Sequence, residues 1–318
     1  MSTETTPNFL IAGERRSGTS TLAKWIHHHP SVYICPRFDA AFFVDDDLRG
    51  RLDWLDGEID LTRWARDHDT DSYLKWFRDA KPHQPAVGEK SADYFYWPPC
   101  ADRIMTRFPQ MKILLIFRNP VDRAWSHYWN EVGKGRETLG FEEAIAAEES
   151  RIAGSDYARL HLSYFDRGRY INSLQRWIDR VSEQQLHIVV LEDLIADPLN
   201  ELKRVYRFLG VDPDLGLELA GKRYNHNWTT IPREFWTKNS ALARIEWGIN
   251  RMVRTATRIV VRDRYRRLRI GPQLERLTRI PQKQLSMPDH VRRMLVDRYA
   301  PSVRQLQEKL NIDLKCWA

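Results

Sequence analysis

A short apolar run followed by a glycine-containing loop is the feature that most constrains the fold of this chain of 318 residues. The run occupies residues 8–12, and the sequence GERRSGTSTLAKWI follows it at residues 13–26, with apolar residues at helical spacing in its second half. This order predicts a strand, a loop and a helix. It approaches the phosphate-loop pattern G-x-x-x-x-G-K-[ST], except that threonine stands at position 19, where that pattern has its lysine.

Further strands and helices alternate along the chain. The continuous apolar run KILLIF at residues 112–117 is typical of a strand buried on both faces of a parallel sheet. Strands are also predicted at residues 186–191 and 86–88, and helices at residues 170–181 and 288–310. This alternation predicts a parallel sheet covered by helices. Since no internal repeat or clear linker occurs, we predict one domain over residues 1–318, with a helical, arginine-rich insertion at about 230–282.

Composition excludes several classes of protein. The net charge of +7 favours anionic ligands, but acidic residues are interleaved with the arginines and no known nucleic-acid-binding module occurs. Cys35, Cys100 and Cys316 form neither a metal-ligand spacing nor a disulfide framework, which favours a reducing compartment. We see no secretory signal and no apolar run near the roughly 18 residues of a membrane span. We therefore expect a cytoplasmic enzyme that neither binds nucleic acid nor spans a membrane.

The loop itself predicts an anion-binding site. Backbone N–H groups and the start of the following helix attract negative charge, and Gly18 allows the backbone to approach the ligand closely. In ordinary phosphate loops the missing lysine reaches the β- and γ-phosphates. A loop without it is expected to hold a shorter anion, such as a 5′-phosphate bearing one more group. A purely local helix cap is the alternative interpretation.

A second anion contact is expected where the strand at 112–117 ends. Ligands of open α/β sheets lie outside the carboxyl ends of the strands, so Arg118 and Ser126 can hold a second phosphate of the same nucleotide. The alternative is that Arg118 pairs with Asp122 and that Ser126 lies on a solvated helix face.

Four segments together resemble the sulfotransferases that use 3′-phosphoadenosine 5′-phosphosulfate (PAPS). They are RSGTST (16–21), GEKSADYF (88–95), IFRNPVDRAWS (116–126) and residues 164–177. The resemblance is to the branch with heparan-sulfate N- and O-sulfotransferase domains and bacterial relatives, and it covers about residues 8–215 and 283–317. It implies a three-layer α/β fold of the P-loop NTPase type, with a central parallel sheet flanked by helices and with helical insertions.

The resemblance also implies roles for individual residues. Asp39 stands where relatives often have a glutamate base, and Arg16 stands where many have lysine. Since arginine does not readily give up a proton, Arg16 is expected to stabilise charge electrostatically, together with Lys90. Asp39 as a turn residue, and Lys90 paired with Glu89 or Asp93, are the alternatives. The residues expected to bind PAPS, or its product 3′-phosphoadenosine 5′-phosphate (PAP), are Arg15, Arg16, Ser17, Gly18, Thr19, Ser20, Thr21, Arg118, Ser126 and Lys283. No metal is expected.

The abundance of aromatic residues favours a ring-bearing small-molecule acceptor, as in the tailoring of a bacterial natural product, although core packing also explains aromatics. The residues expected to contact it are Phe42, Tyr94, Trp97, His127, Asn130 and Tyr164; whether His127 or Asn130 assists catalysis stays open, as does a homo-oligomer. The expected reaction is transfer of a sulfonate group to a hydroxyl or amine, of EC 2.8.2 type. An ATP-dependent P-loop kinase of a small molecule and a non-enzymatic polyanion-binding protein are the alternatives.

Overall fold

The computed structural model describes residues 5–36, 39, 41–44, 73–222, 230–232, 279–281 and 286–317. At its centre five parallel strands lie in the order β2-β3-β1-β4-β5. They are β1 (Phe9–Gly13), β2 (Val32–Ile34), β3 (Ala86–Lys90), β4 (Lys112–Phe117) and β5 (Leu186–Val190). The sequence predicted four of them. It missed β2, because three residues are too few to show a periodicity.

Helices cover the sheet on both faces. They are α1 (Thr19–His27), α2 (Cys100–Arg107), α3 (Pro120–Gly133), α4 (Phe141–Ala146), α5 (Glu148–Gly154), α6 (Asp156–His161), α7 (Tyr170–Ile178), α8 (Leu191–Ala196), α9 (Pro198–Leu209) and α10 (Asp289–Leu310). The predicted strand at 186–191 loses its last residue because α8 begins there. The predicted helix at 170–181 ends at Ile178.

The buried side chains form three clusters. Successive residues of a strand point to opposite faces, so Phe9 and Ile11 of β1 pack with α1 and α9, whereas Leu10 and Ala12 pack with α2 and α7. A third cluster joins α3, α4, α6 and the first half of α10 beside the sheet. This arrangement is the predicted three-layer α/β fold. The loops that follow β1, β3 and β4 meet at one edge of the sheet, because the strands are parallel.

Little of the predicted insertion lies within the described residues. Strand β6 (Thr230–Pro232) pairs antiparallel with β7 (Arg279–Pro281), and β6 lies alongside α3. The helices predicted within residues 236–269 and the nucleotide-binding candidate Lys283 lie outside the described residues. The single-domain organisation stays a prediction.

Candidate active site

The glycine loop connects β1 to α1 at the centre of the sheet edge. Gly18 has a φ of 98°, a left-handed conformation that favours glycine, and a Cβ there would also displace the end of the Leu191 side chain, whose Cδ1 would lie 2.8 Å away. Arg16 also has a positive φ, of 70°. A left-handed conformation is costly for an arginine and occurs mostly where surrounding contacts hold it for function.

The start of α1 suits an anion. Among the described residues, no side chain caps this helix end, and its first turn carries no acidic residue. Four serines and threonines lie at this helix end. Ser17 and Thr19 are buried, while Ser20 and Thr21 are partly buried. The partial positive charge of the helix end therefore faces the loop without a built-in negative group to neutralise it.

The Arg16 side chain reaches across to α3. Its Nε donates to Ser126 Oγ at 3.1 Å, and one terminal nitrogen donates to Asn130 Oδ1 at 3.2 Å. Arg118 donates to the backbone oxygen of Arg16 at 3.3 Å, so a second guanidinium lies close by. Burial and the neighbouring charge of Arg118 lower the pKa of Arg16 to about 10. The structure thus brings together the loop and the predicted second anion contact.

The turn that carries Arg118 is held from several directions. Asn119 caps α3 by accepting from the backbone N–H of Val121 at 3.0 Å. Tyr170 donates its hydroxyl to the backbone oxygen of Arg118 at 2.8 Å. The alternative in which Arg118 pairs with Asp122 is not observed, because Asp122 pairs with Arg292 at 2.5 Å.

Glu192 completes this support at the end of β5. It accepts from the backbone N–H of Asn119 at 2.9 Å and from Trp317 Nε1 at 3.0 Å. The carboxylate therefore ties the turn after β4 to the C-terminal segment.

Asp39 and Lys90 lie together at the neighbouring strand end. The backbone N–H of Asp39 donates to the Lys90 carbonyl at 2.9 Å, which continues the pairing of β2 with β3. Lys90 Nζ donates to Asp39 Oδ2, and the backbone N–H of Ala92 donates to Asp39 Oδ1 at 2.9 Å. The lysine side chain is 3% exposed and the aspartate 46%. Lys90 is thus paired with Asp39, rather than with Glu89 or Asp93 as the alternatives had it.

Glu89 occupies the other face of β3. It is 1% exposed, and the hydroxyls of Tyr73 and Tyr94 face its carboxylate without well-formed hydrogen-bond geometry. Burial raises the pKa of Glu89 to about 7.

Arg15, which is also among the predicted nucleotide contacts, points into a buried ion network. It donates to Asp93 at 2.6 Å, and Asp93 also accepts from Arg167 at 2.7 Å. Arg167 donates in turn to the buried Glu14 at 2.7 Å. Burial alone would lower the pKa of Arg15, but the Asp93 and Glu131 carboxylates outweigh it and raise the value. Because two carboxylates already neutralise it, this arginine has little charge to offer a ligand.

Sequence reasoning missed this network. Asp93 and Arg167 both lie in segments that carry the family resemblance, but the partners of Arg167 are 74 and 153 residues away from it. Opposite charges scattered along the chain gave no pattern that could be recognised.

Most of the residues expected at the acceptor are buried. Phe42 stacks on Tyr73, and the side chains of Tyr94, Trp97, His127 and Tyr164 are at most 3% exposed. Packing in the core leaves these five side chains little surface, and their contact with an acceptor stays a prediction. Burial and the adjacent Arg123 also lower the pKa of His127 well below its ordinary value, so the ring is neutral. Only Asn130 is partly exposed and next to Arg16.

A family model described as the sulfotransferase family matches residues 7–214. The chain belongs to the sulfotransferase family. Human heparan sulfate glucosamine 3-O-sulfotransferase 5 is 28% identical over 213 residues, which are 65% of this chain and 54% of that protein. Mouse bifunctional heparan sulfate N-deacetylase/N-sulfotransferase 4 is 26% identical over 214 residues, 65% of this chain and 22% of that protein. The match thus spans about half of the first relative and about a fifth of the second.

A solved structure extends the similarity to nearly the whole chain. The crystal structure of a sulfotransferase from Alicyclobacillus acidocaldarius is 27% identical, with a TM-score of 0.68, and the match covers 98% of this chain and 99% of that one. These findings confirm the predicted family and fold class of this chain. No described helix has both the length and the apolar character needed to cross a membrane.

Proposed function

We propose that this sulfotransferase moves a sulfonate group from PAPS to a hydroxyl or an amine of its acceptor. One observation carries the proposal: the Arg16–Arg118 pair and the Asp39–Lys90 pair lie at neighbouring strand ends of one parallel sheet. The first pair can hold the anionic donor and the second can handle the acceptor proton.

The residues around the loop fit a doubly phosphorylated nucleotide. PAPS supplies the sulfonate group and several negative charges. Arg16 makes its side-chain hydrogen bonds to neutral groups, Ser126 and Asn130, while Arg118 donates to its backbone oxygen. An anion bound here offsets the burial and the repulsion from Arg118 that lower the pKa of Arg16, and it meets the uncapped start of α1. The proposed donor contacts are therefore the loop residues 16–21 with Arg118 and Ser126.

Asp39 is the proposed general base. Lys90 and the backbone N–H of Ala92 hold its carboxylate, which is still exposed enough to meet an acceptor. Asp39 takes the acceptor proton as the acceptor oxygen or nitrogen bonds to sulfur and the bond from sulfur to the phosphate oxygen breaks. Arg16 and Lys90 stabilise the negative charge left on that oxygen. Electrostatic stabilisation of developing charge in this way is a large contribution to catalysis in many enzymes.

For the acceptor we propose a small molecule, as in natural-product tailoring. The names of the relatives given above refer to heparan sulfate, so a glycan is the class to test against it. Reactions with PAPS should be examined by mass spectrometry for the gain of one sulfonate group, on a panel of small phenols, alcohols and amines and on heparan-sulfate oligosaccharides. Transfer to the oligosaccharides alone would overturn the small-molecule part of the proposal.

A thermal-shift panel tests the donor. We expect PAP to raise the melting temperature, whereas ATP with magnesium and a duplex oligonucleotide should not. Stabilisation by ATP with magnesium and not by PAP would contradict the proposal and favour a kinase.

A further inference from the structure

Glu131 is a buried carboxylate next to the candidate site. It follows Asn130 near the end of α3, and its side chain is fully buried. One carboxylate oxygen, Oε2, accepts from Arg136 at 3.0 Å, and the other, Oε1, accepts from Asn130 Nδ2 at 2.7 Å. Arg15 lies 3.8 Å from Oε1. The carboxylate thus joins the buried ion network to Asn130.

Asn130 connects this carboxylate to the loop. Its Nδ2 faces Glu131, and its Oδ1 accepts from Arg16 at 3.2 Å. A carboxylate can only accept hydrogen bonds and a guanidinium can only donate them. A carboxamide, with one donor and one acceptor side, links the two in a single orientation. The opposite orientation would place an NH₂ group against Arg16 and an oxygen against Glu131.

The position of Asn130 explains why its orientation matters. Ser126 and Asn130 are four residues apart on α3 and therefore lie on the same helix face. Together they hold Arg16 at two of its nitrogens. Rotation of the Asn130 carboxamide would replace one of these two contacts by a repulsive one.

We propose that Glu131 is a positioning residue for Arg16, acting through Asn130. By fixing the carboxamide it directs Oδ1 at the guanidinium and so places the positive charge of Arg16 for the anionic donor. The inference rests on the proposed function, because the group that it positions is the proposed donor contact.

The substitution Glu131→Gln should reverse the orientation of the Asn130 carboxamide. The introduced glutamine keeps the shape of the glutamate, and its carbonyl oxygen is favoured toward Arg136, where the hydrogen bond is charge-assisted. Its NH₂ group would then face Asn130, which turns its own oxygen away from Arg16. We expect the dissociation constant for PAP, measured by titration calorimetry, to rise about tenfold, the effect of losing a hydrogen bond to a charged group.

The substitution Asn130→Asp tests the same link from the other side. In the wild-type background it places two carboxylates against each other and weakens PAP binding. Adding Glu131→Gln to Asn130→Asp removes that repulsion. The glutamine at position 131 can donate to one oxygen of the aspartate at position 130, and the other oxygen of that aspartate can still accept from Arg16. Glu131→Gln should therefore weaken PAP binding in the wild type and strengthen it in the Asn130→Asp background. If Glu131 served folding alone, Glu131→Gln would not weaken PAP binding in one background and strengthen it in the other.

Glu137→Gln is the matched control. Glu137 is also fully buried at its side chain and ion-paired, with Arg151 at 2.8 Å, and it accepts from Tyr164 rather than from Asn130. We expect its substitution to lower the melting temperature and to leave the dissociation constant for PAP unchanged.

The outcomes separate the inference from the proposed function. Wild-type protein that does not bind PAP would overturn the proposed function and the inference with it. If the wild type binds PAP, unchanged binding in Glu131→Gln, or the same direction of change in both backgrounds, overturns the inference alone. Should Glu131→Gln fail to fold, Asn130→Asp decides by itself: PAP binding equal to the wild type overturns the inference.

Discussion

Arg15 and Arg16 are neighbours in the chain, but they belong to two regions of opposite character. Arg15 enters a buried network in which arginines and carboxylates neutralise one another, and its pKa is raised. Arg16 lies among neutral acceptors beside a second guanidinium, and its pKa is lowered to about 10. The first region stabilises the fold through internal pairing. The second holds positive charge that an external anion can pair with.

The largest effect on stability should come from the centre of the network. Arg167 is fully buried and bridges Glu14 and Asp93. The substitution Arg167→Met leaves both carboxylates partly uncompensated, and breaking a buried pair in this way costs about 3–5 kcal/mol. Urea denaturation should show this loss of unfolding free energy. A loss below about 1 kcal/mol would show that the network is not what holds this region.

Asp39 should matter for turnover and little for binding. With Asn at this position the base is lost while Arg16 and Arg118 keep their places, so we expect turnover to fall about 10²–10⁴-fold. Calorimetry should find PAP affinity close to that of the wild type. Near-normal turnover, in an assay with an acceptor found by mass spectrometry, would remove Asp39 from the base role.

Glu89 differs from the carboxylates of the buried ion network, because it has no cationic partner at hydrogen-bond distance among the described residues. Burial raises the pKa of Glu89 in the folded state from 4.5 to about 7. The favourable contribution of the protonated carboxyl to the free energy of unfolding is therefore fully present below pH 4.5 and is lost as pH rises toward 7. Glutamine does not titrate, so the Glu89→Gln variant should not lose this free energy of unfolding. The difference in unfolding free energy between variant and wild type should therefore grow by about 2 kcal/mol in favour of the variant from pH 5 to pH 8.

Denaturation curves of the wild type and the Glu89→Gln variant across that pH range provide the check. Glu142→Gln, at an exposed glutamate, is the control and should track the wild type. Parallel pH profiles for Glu89→Gln and the wild type would show that the Glu89 carboxyl titrates normally.

The sequence predicted the parts of the fold and site that depend on local pattern. The strand at 112–117, the glycine loop and the turn with Arg118 all have signals within a few residues. Strand β2 was too short to show one. The split between Arg15 and Arg16 could not be predicted, because it depends on Asp93 and Arg167, which the fold brings together from distant segments.

The burial of the residues predicted at the acceptor was also beyond what local pattern shows. Tyr94 and Tyr164 belong to the segments 88–95 and 164–177 that carry the family resemblance, so we expected both near the site. Whether an aromatic side chain points into a pocket or into the core is set by tertiary packing, and both of these are fully buried. Asn130 and Ser126 are polar and one turn apart on α3, and the structure shows both in contact with Arg16.

The most direct measurement is calorimetric titration of PAP into the wild type, Arg16→Met and Arg15→Met, with the unfolding free energy of each variant measured alongside. We predict that Arg16→Met weakens PAP binding by at least about tenfold, because a charge-assisted hydrogen bond to the ligand is lost. We expect no loss of stability, because the substitution removes a partly buried positive charge that lies beside Arg118. Arg15→Met should lose stability and keep most of its PAP affinity. Weaker PAP binding in Arg15→Met than in Arg16→Met would contradict this division between a structural network and an anion-binding site.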